Sequence, residues 1–226
     1  MTWTDLLFAH WPADAETLRG MLPPGLELDM YAGDAWVGVV PFRMSGVRLR
    51  GLPSMPGAGT FPELNLRTYV RRGGKRGVWF FALDAASALA VHAARAWFGL
   101  PYFRARMRSE RAGDAIEYRS ERVEGSYGGA PAGVRVRYEP SGPVELARAG
   151  SLEEFLTERY CLYAVDRRGR LRRGDIHHAR WPLQPARAVF EECTLPAAHG
   201  IEPAKRAPHL LFARELEVVA WSPVLA

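Results

Sequence analysis

Short runs in which apolar and polar residues alternate, punctuated by Gly, Pro, Asn or Asp at roughly ten-residue intervals, constrain this chain most. FPELNLRTYV (61–70), YFRARMRSER (102–111) and AIEYRSERV (115–123) are the clearest of them. A period of two sends successive side chains to opposite faces of a strand. A chain made of such runs folds by closing or stacking a sheet over one of those faces.

The pattern predicts strands over residues 6–11, 26–31, 35–49, 64–72, 77–84, 102–111, 114–123, 134–139, 160–166, 171–177, 186–194 and 209–221. Residues 26–31 and 35–49 read as a hairpin around Ala32-Gly33-Asp34, and residues 64–72 and 77–84 as a second around GGKR. Helices are expected over residues 13–22, 86–98 and 151–160, the first capped by Asp14 and the last by a Ser151/Glu154 capping box. The Pro/Gly-rich stretch 51–63 reads as a loop. No repeat or linker divides the chain, so residues 1–226 are expected to form one domain. The fold class is mainly β with short helices, a single antiparallel barrel or sandwich of about ten strands and three helices.

Charge narrows the function classes. The net charge is +5, and of 30 basic residues only Lys75 and Lys205 are lysines. The arginines are spread along the chain and matched locally by acids, as in RSERAGDAIEYRSERVEG, so a mixed-sign surface is expected and nucleic acid is not the expected partner. No apolar run of about 18 residues exists to cross a membrane. MTWTDLLFAHW lacks a basic leader, and the cytoplasm is the expected compartment, with Cys161 and Cys193 as free thiols. No metal is expected: His177 and His178 are neighbours in a strand and point to opposite faces. Neither a phosphate loop nor a G-x-S-x-G elbow occurs, and no cofactor is expected. The oligomeric state is left open.

Two stretches carry chemistry. Along 61–70, Leu64, Leu66, Thr68 and Val70 take one face and Glu63, Asn65, Arg67 and Tyr69 the other. That polar face is either bathed in solvent or lines a barrel lumen. In a lumen, a carboxylate, an amide, a guanidinium and a phenol could hold and polarise a small oxyacid. The second stretch is ARAWFGLPYFRARM (94–107), where a helix stops at Gly99 and Pro101 and a strand starts with Tyr102 and Phe103.

HWPADAETLRGMLPPGLELD, AWVGVVPFRM, FPELNLRTYV, GVWFFALDA, FGLPY, FLTERYCLY, IHHARWPLQPA and LEVVAW together resemble the YqjF-like family. That family is similar to the acetoacetate decarboxylase superfamily, and the more distant likeness is best from about residue 8 to residue 107. The resemblance implies a conical, mainly antiparallel β-barrel. In the decarboxylases a helix stop is followed by two adjacent lysines, one forming a Schiff base with the keto acid and the other lowering its pKa. The matching positions here are Tyr102 and Phe103, so the amine is missing. A pocket glutamate of those enzymes matches at Glu63, whereas Thr4 stands where they carry an arginine.

The expected function is therefore a small-molecule-binding barrel for a small organic or keto acid that works without a Schiff-base lysine. Glu63 and Tyr102 are the candidate reactive pair, and Asn65, Arg67, Tyr69 and Phe103 the candidate ligand contacts. A lysine-independent enzyme, with Glu63 as acid or base and Tyr102 or Arg67 holding an enolate, is the second reading. An arginine-rich interaction or nucleic-acid-binding module is the third.

Overall fold

The computed structural model describes residues 1–47, 60–88, 91, 92, 95 and 99–226. Among them, thirteen strands form one sheet. In chain order these are β1 (Thr2–Ala13), β2 (Glu27–Leu28), β3 (Ala35–Ser45), β4 (Thr60–Arg72), β5 (Lys75–Ala85), β6 (Tyr102–Ala112) and β7 (Ala115–Arg122). β8 (Gly133–Pro140), β9 (Cys161–Val165), β10 (Leu171–His178), β11 (Leu183–Cys193), β12 (His209–Ala220) and β13 (Val224–Leu225) follow. Helix α1 (Ala15–Gly20) is capped by Asp14, and α2 (Leu152–Thr157) by Ser151. Glu154 completes the second cap by accepting from Gly150 N, one residue before the cap itself.

The strand order is β13-β10-β9-β5-β6-β7-β8-β11-β12-β1-β3-β4-β2, and extra pairings of β5 with β4 and of β10 with β12 make it return on itself twice. Two strands fork to allow this. β5 pairs in parallel with β9 at Val78 and Trp79, then with β6 from Leu83 to Ala85. β12 pairs with β11 at residues 211–213 and with β10 at residues 218–220. The result is two lobes with a common wall of β1, β3 and β4.

That wall is apolar or buried on both faces. On the larger lobe's side, Leu64, Leu66, Leu7, Val37 and Val39 pack with Tyr118, Val134, Val136 and Tyr138. On the other side, Phe8, Val40, Phe42, Leu83, Tyr102 and Trp181 form a second core. Strands covered on both faces usually read as continuous apolar runs; β4 instead carries polar groups on one covered face.

Several expectations need correction. The sheet has thirteen strands rather than about ten: β1 to β12 each overlap an expected strand, and β13, of two residues, is too short for a period to register. It is not uniformly antiparallel, since β5 pairs in parallel on both branches of its fork. Among the described residues there are two α-helices, plus helical backbone at Ala88, Val91, His92 and Arg95 within the expected 86–98 segment. The first expected hairpin does not form: Tyr31 and Asp34 close a tight turn with Ala32 and Gly33 at positive φ, and β2 pairs with β4 instead. Residues 60–63 of the expected loop belong to β4, whose ladder to β3 begins at Thr60 and Ser45. The rest of that loop lies outside the described residues.

Candidate functional site

The four polar residues of β4 are all inside the protein: Glu63 is 2% exposed, Asn65 7%, Arg67 9% and Tyr69 0%. Of the two alternatives for this face, exposure to solvent is therefore overturned, and both faces of β4 are buried. The polar row runs along the smaller lobe from Glu63 at one end to Tyr69 at the other, where α2 lies against it.

At the first end, Tyr102 Oη donates to Glu63 Oε2 at 3.0 Å. β6 brings Tyr102 there by pairing Tyr102 with Leu83 of β5, while Glu63 faces Ala85 on β5's other side. Among the described residues no cation pairs with Glu63. Burial pushes its carboxyl up to about 8, against a small opposing pull from the Tyr102 hydrogen bond. Tyr102 is driven well above the ordinary phenol range by burial and then by Glu63. At neutral pH the pair is therefore a carboxylic acid beside a phenol. Tyr118 reaches from the other lobe and donates to the Glu63 backbone carbonyl at 2.7 Å, pinning β4 at this point.

At the second end, Leu156 O of α2 accepts from Arg67 Nη2 at 3.0 Å and from Tyr69 Oη at 2.9 Å. Tyr69's single proton is committed to that carbonyl, so its 2.6 Å contact with His10 is His10 Nε2–H donating to Tyr69 Oη. His10 is fully buried, and burial, then Arg67 and His209, hold its pKa well below the usual imidazole value. Among the described residues its Nδ1 has no partner, and neither do Asn65 Oδ1, Arg67 Nε and Trp181 Nε1. Gly38 sits between His10 and Arg67 in the ladder, and its missing side chain makes the space that the imidazole fills.

Phe103 is not part of this cluster. As Tyr102's neighbour it takes the opposite face, stacking on the Arg122 guanidinium, which is 4.0 Å from its ring centre. Arg122 in turn pairs with Asp84 at 2.8 Å, both almost fully buried. The lysines are remote: Lys75 starts β5, at the opposite end from Ala85, and pairs with Asp175, while Lys205 is exposed in a bend. His177 is exposed against Trp221, and buried His178 donates Nδ1–H to Ala179 O. Cys161 and Cys193 are free. No helix among the described residues is long and apolar enough to cross a membrane.

Sequence reasoning missed His10 and Trp181. His10 was legible as the residue two after Phe8 in an alternating run, hence on the same face; Trp181 lies outside any periodic strand.

Comparison with known proteins bears on the chain as a whole. The model of the DUF2071 family, described as an uncharacterized conserved protein, matches residues 1–217. The uncharacterized protein YqjF of Bacillus subtilis is 47% identical over 220 residues, covering 97% of this chain and 89% of that protein. Acetoacetate decarboxylase from Legionella pneumophila superposes with a TM-score of 0.65 at 14% identity, covering all of this chain and 88% of its own. The enduracididine biosynthesis enzyme MppR, complexed with the condensation product of pyruvate and imidazole 4-carboxaldehyde, gives 0.72 at 14%, covering 99% and 87%. The larger part of the chain thus carries the family's sequence on a fold like that of acetoacetate decarboxylase, and the protein belongs to the DUF2071 family, as a YqjF-like member of it.

Proposed function

We propose that this protein binds a small carbonyl-bearing organic acid against Glu63 and Tyr102 and transfers a proton at the carbon next to the carbonyl, without a covalent imine. The observation that carries this reading is Glu63: a buried carboxyl with no cationic partner among the described residues, held near pKa 8, with a phenol 3.0 Å away. Near that pH both protonation states are populated, which is what a group that takes and returns protons requires. Ionised Glu63 takes the α-proton, and the enolate oxygen that forms accepts a hydrogen bond from the Tyr102 phenol. Returning the proton restores the ketone or yields its tautomer. MppR, an enzyme that shares this fold, is complexed with pyruvate in one of its structures. Lys75 and Lys205 stand away from the pair, which favours chemistry that needs no amine.

The test is hydrogen–deuterium exchange at the α-carbon of pyruvate and 4-oxopentanoate, followed by proton NMR in D2O. Exchange with the intact protein is expected to exceed that with Glu63→Gln by about 10²–10⁴-fold for at least one of the two acids, the usual contribution of a positioned acid or base. Equal exchange in both proteins would sink the proposal.

A further inference from the structure

Arg67 is a buried guanidinium. Among the described residues no carboxylate pairs with it; its Nη2 is spent on Leu156 O and, at 3.4 Å, on Tyr69 Oη. Its Nε–H has no partner among the described residues. The surroundings make the deficit worse. Arg159 is also buried beside Tyr69, with its guanidinium carbon 4.9 Å from that ring, and its Nη2 is likewise unpaired. Asp29 already serves both Arg159, at 2.6 Å, and Arg76, at 2.9 Å. His10 next to Arg67 is neutral, and so is Glu63 at the far end of the row.

Burying a cation with neither counter-charge nor full hydrogen bonding is costly, and proteins tolerate it where a ligand completes the site. The unpartnered atoms fit that purpose. Arg67 Nε–H and Trp181 Nε1–H are donors flanking the same Phe8 ring, the guanidinium carbon 5.4 Å from its centre and the indole 4.9 Å. Asn65, with its Oδ1 unpaired, lies between Arg67 and Glu63 on the same strand face.

We propose that Arg67 seats a terminal anion of the ligand, so that this protein takes an elongated oxo acid whose carboxylate lies several bonds from its carbonyl. The inference rests on the reading of Glu63 and Tyr102 as the seat of the carbonyl. Its length requirement comes from the strand: Glu63 and Arg67 are four residues apart, about 13 Å along β4 at the usual rise. The two side chains must cover much of that span; an acid whose carboxylate is set two or more methylenes from its carbonyl bridges more of the remainder than pyruvate, in which the two groups are bonded directly.

Isothermal titration calorimetry of the full chain with 4-oxopentanoate, pyruvate and the neutral 2-hexanone tests this. The protein should bind 4-oxopentanoate at least tenfold more tightly than either of the others. Arg67→Met should erase that preference while raising the melting temperature of the ligand-free protein, since a purely structural arginine would lower it. Asn65→Asp supplies an internal carboxylate beside Arg67, and should also stabilise the free protein and exclude the anion. Glu63→Gln should keep the preference for 4-oxopentanoate even though proton exchange is lost, which separates the two proposals. Equal affinity for the oxo acid and the ketone, or a preference that survives Arg67→Met, would overturn the assignment.

Discussion

Gly38 of β3 lies directly opposite His10 of β1, and a Cβ at position 38 would stand 2.7 Å from His10 Cδ2 and 2.8 Å from Nε2. The glycine is what allows the imidazole to lie flat over the wall and reach Tyr69. Backbone strain plays no part here, because the position does not require positive φ.

Gly38→Ala should therefore push the His10 ring off Tyr69 and destabilise the fold by about 1–3 kcal/mol, the usual penalty for overpacking a filled core. Gly20→Ala, at the end of α1 with open space around it, is the control and should be neutral or slightly stabilising. Urea unfolding of the two variants makes the comparison. Equal stabilities would mean that the imidazole moves aside freely.

Glu63 should give the protein a stability that declines with rising pH. Its folded pKa of about 8 lies above its ordinary value of 4.5. Between those values the unfolded chain releases the proton and the folded one keeps it. The stabilisation is thus complete below 4.5, falls through the interval, and is lost by the time pH passes 8. The loss attributable to Glu63 should be a few kcal/mol. Glu63→Gln still accepts from Tyr102 but cannot ionise, so chemical denaturation from pH 4.5 to 9 should show a flatter profile. Parallel profiles would show that Glu63 titrates as an ordinary surface acid.

No imine should form with the native protein. Treatment with pyruvate or 4-oxopentanoate and borohydride should leave the intact mass unchanged, because Lys75 is held by Asp175 and both lysines stand far from Glu63. Tyr102→Lys would set an amine in a buried place, where desolvation lowers its pKa and frees its lone pair. Slow trapping of a single adduct on that variant is expected, and a stoichiometric adduct on the native chain would contradict it.

Local pattern carried much of this structure. Alternation marked β4, β6 and β7, the turn residues marked the β4–β5 and β6–β7 connections, and Asp14 and Ser151 marked their helices. The same alternation could not decide the surroundings of β4. Polar residues at every second position look like a solvent face, and only the pairing of β5 with β9 and β10 with β12, distant in sequence, covers that face. β2 was expected within residues 26–31 but with the wrong partner for a related reason: it pairs with Arg71 and Val70 of β4, not with the nearer β3. In the site, Glu63 and Tyr102 were legible as residues and their contact was not, since it spans β5. The likeness to the decarboxylases brought Tyr102 and Phe103 forward together, but strand geometry sends them into different cores. Arg67 was visible as a cation; its lack of a counter-ion among the described residues required knowing where their acids lie.

The common wall also dictates when the molecule can take shape. β1 pairs along its length with β12, from Thr2 opposite Glu217 to His10 opposite His209. During synthesis, every strand up to β11 can emerge while β1 still presents a bare edge, the kind of surface that recruits stray strands. Neither lobe can close until residue 220 has left the ribosome, so this fold is assembled late and all at once, with its longest-range contacts made last.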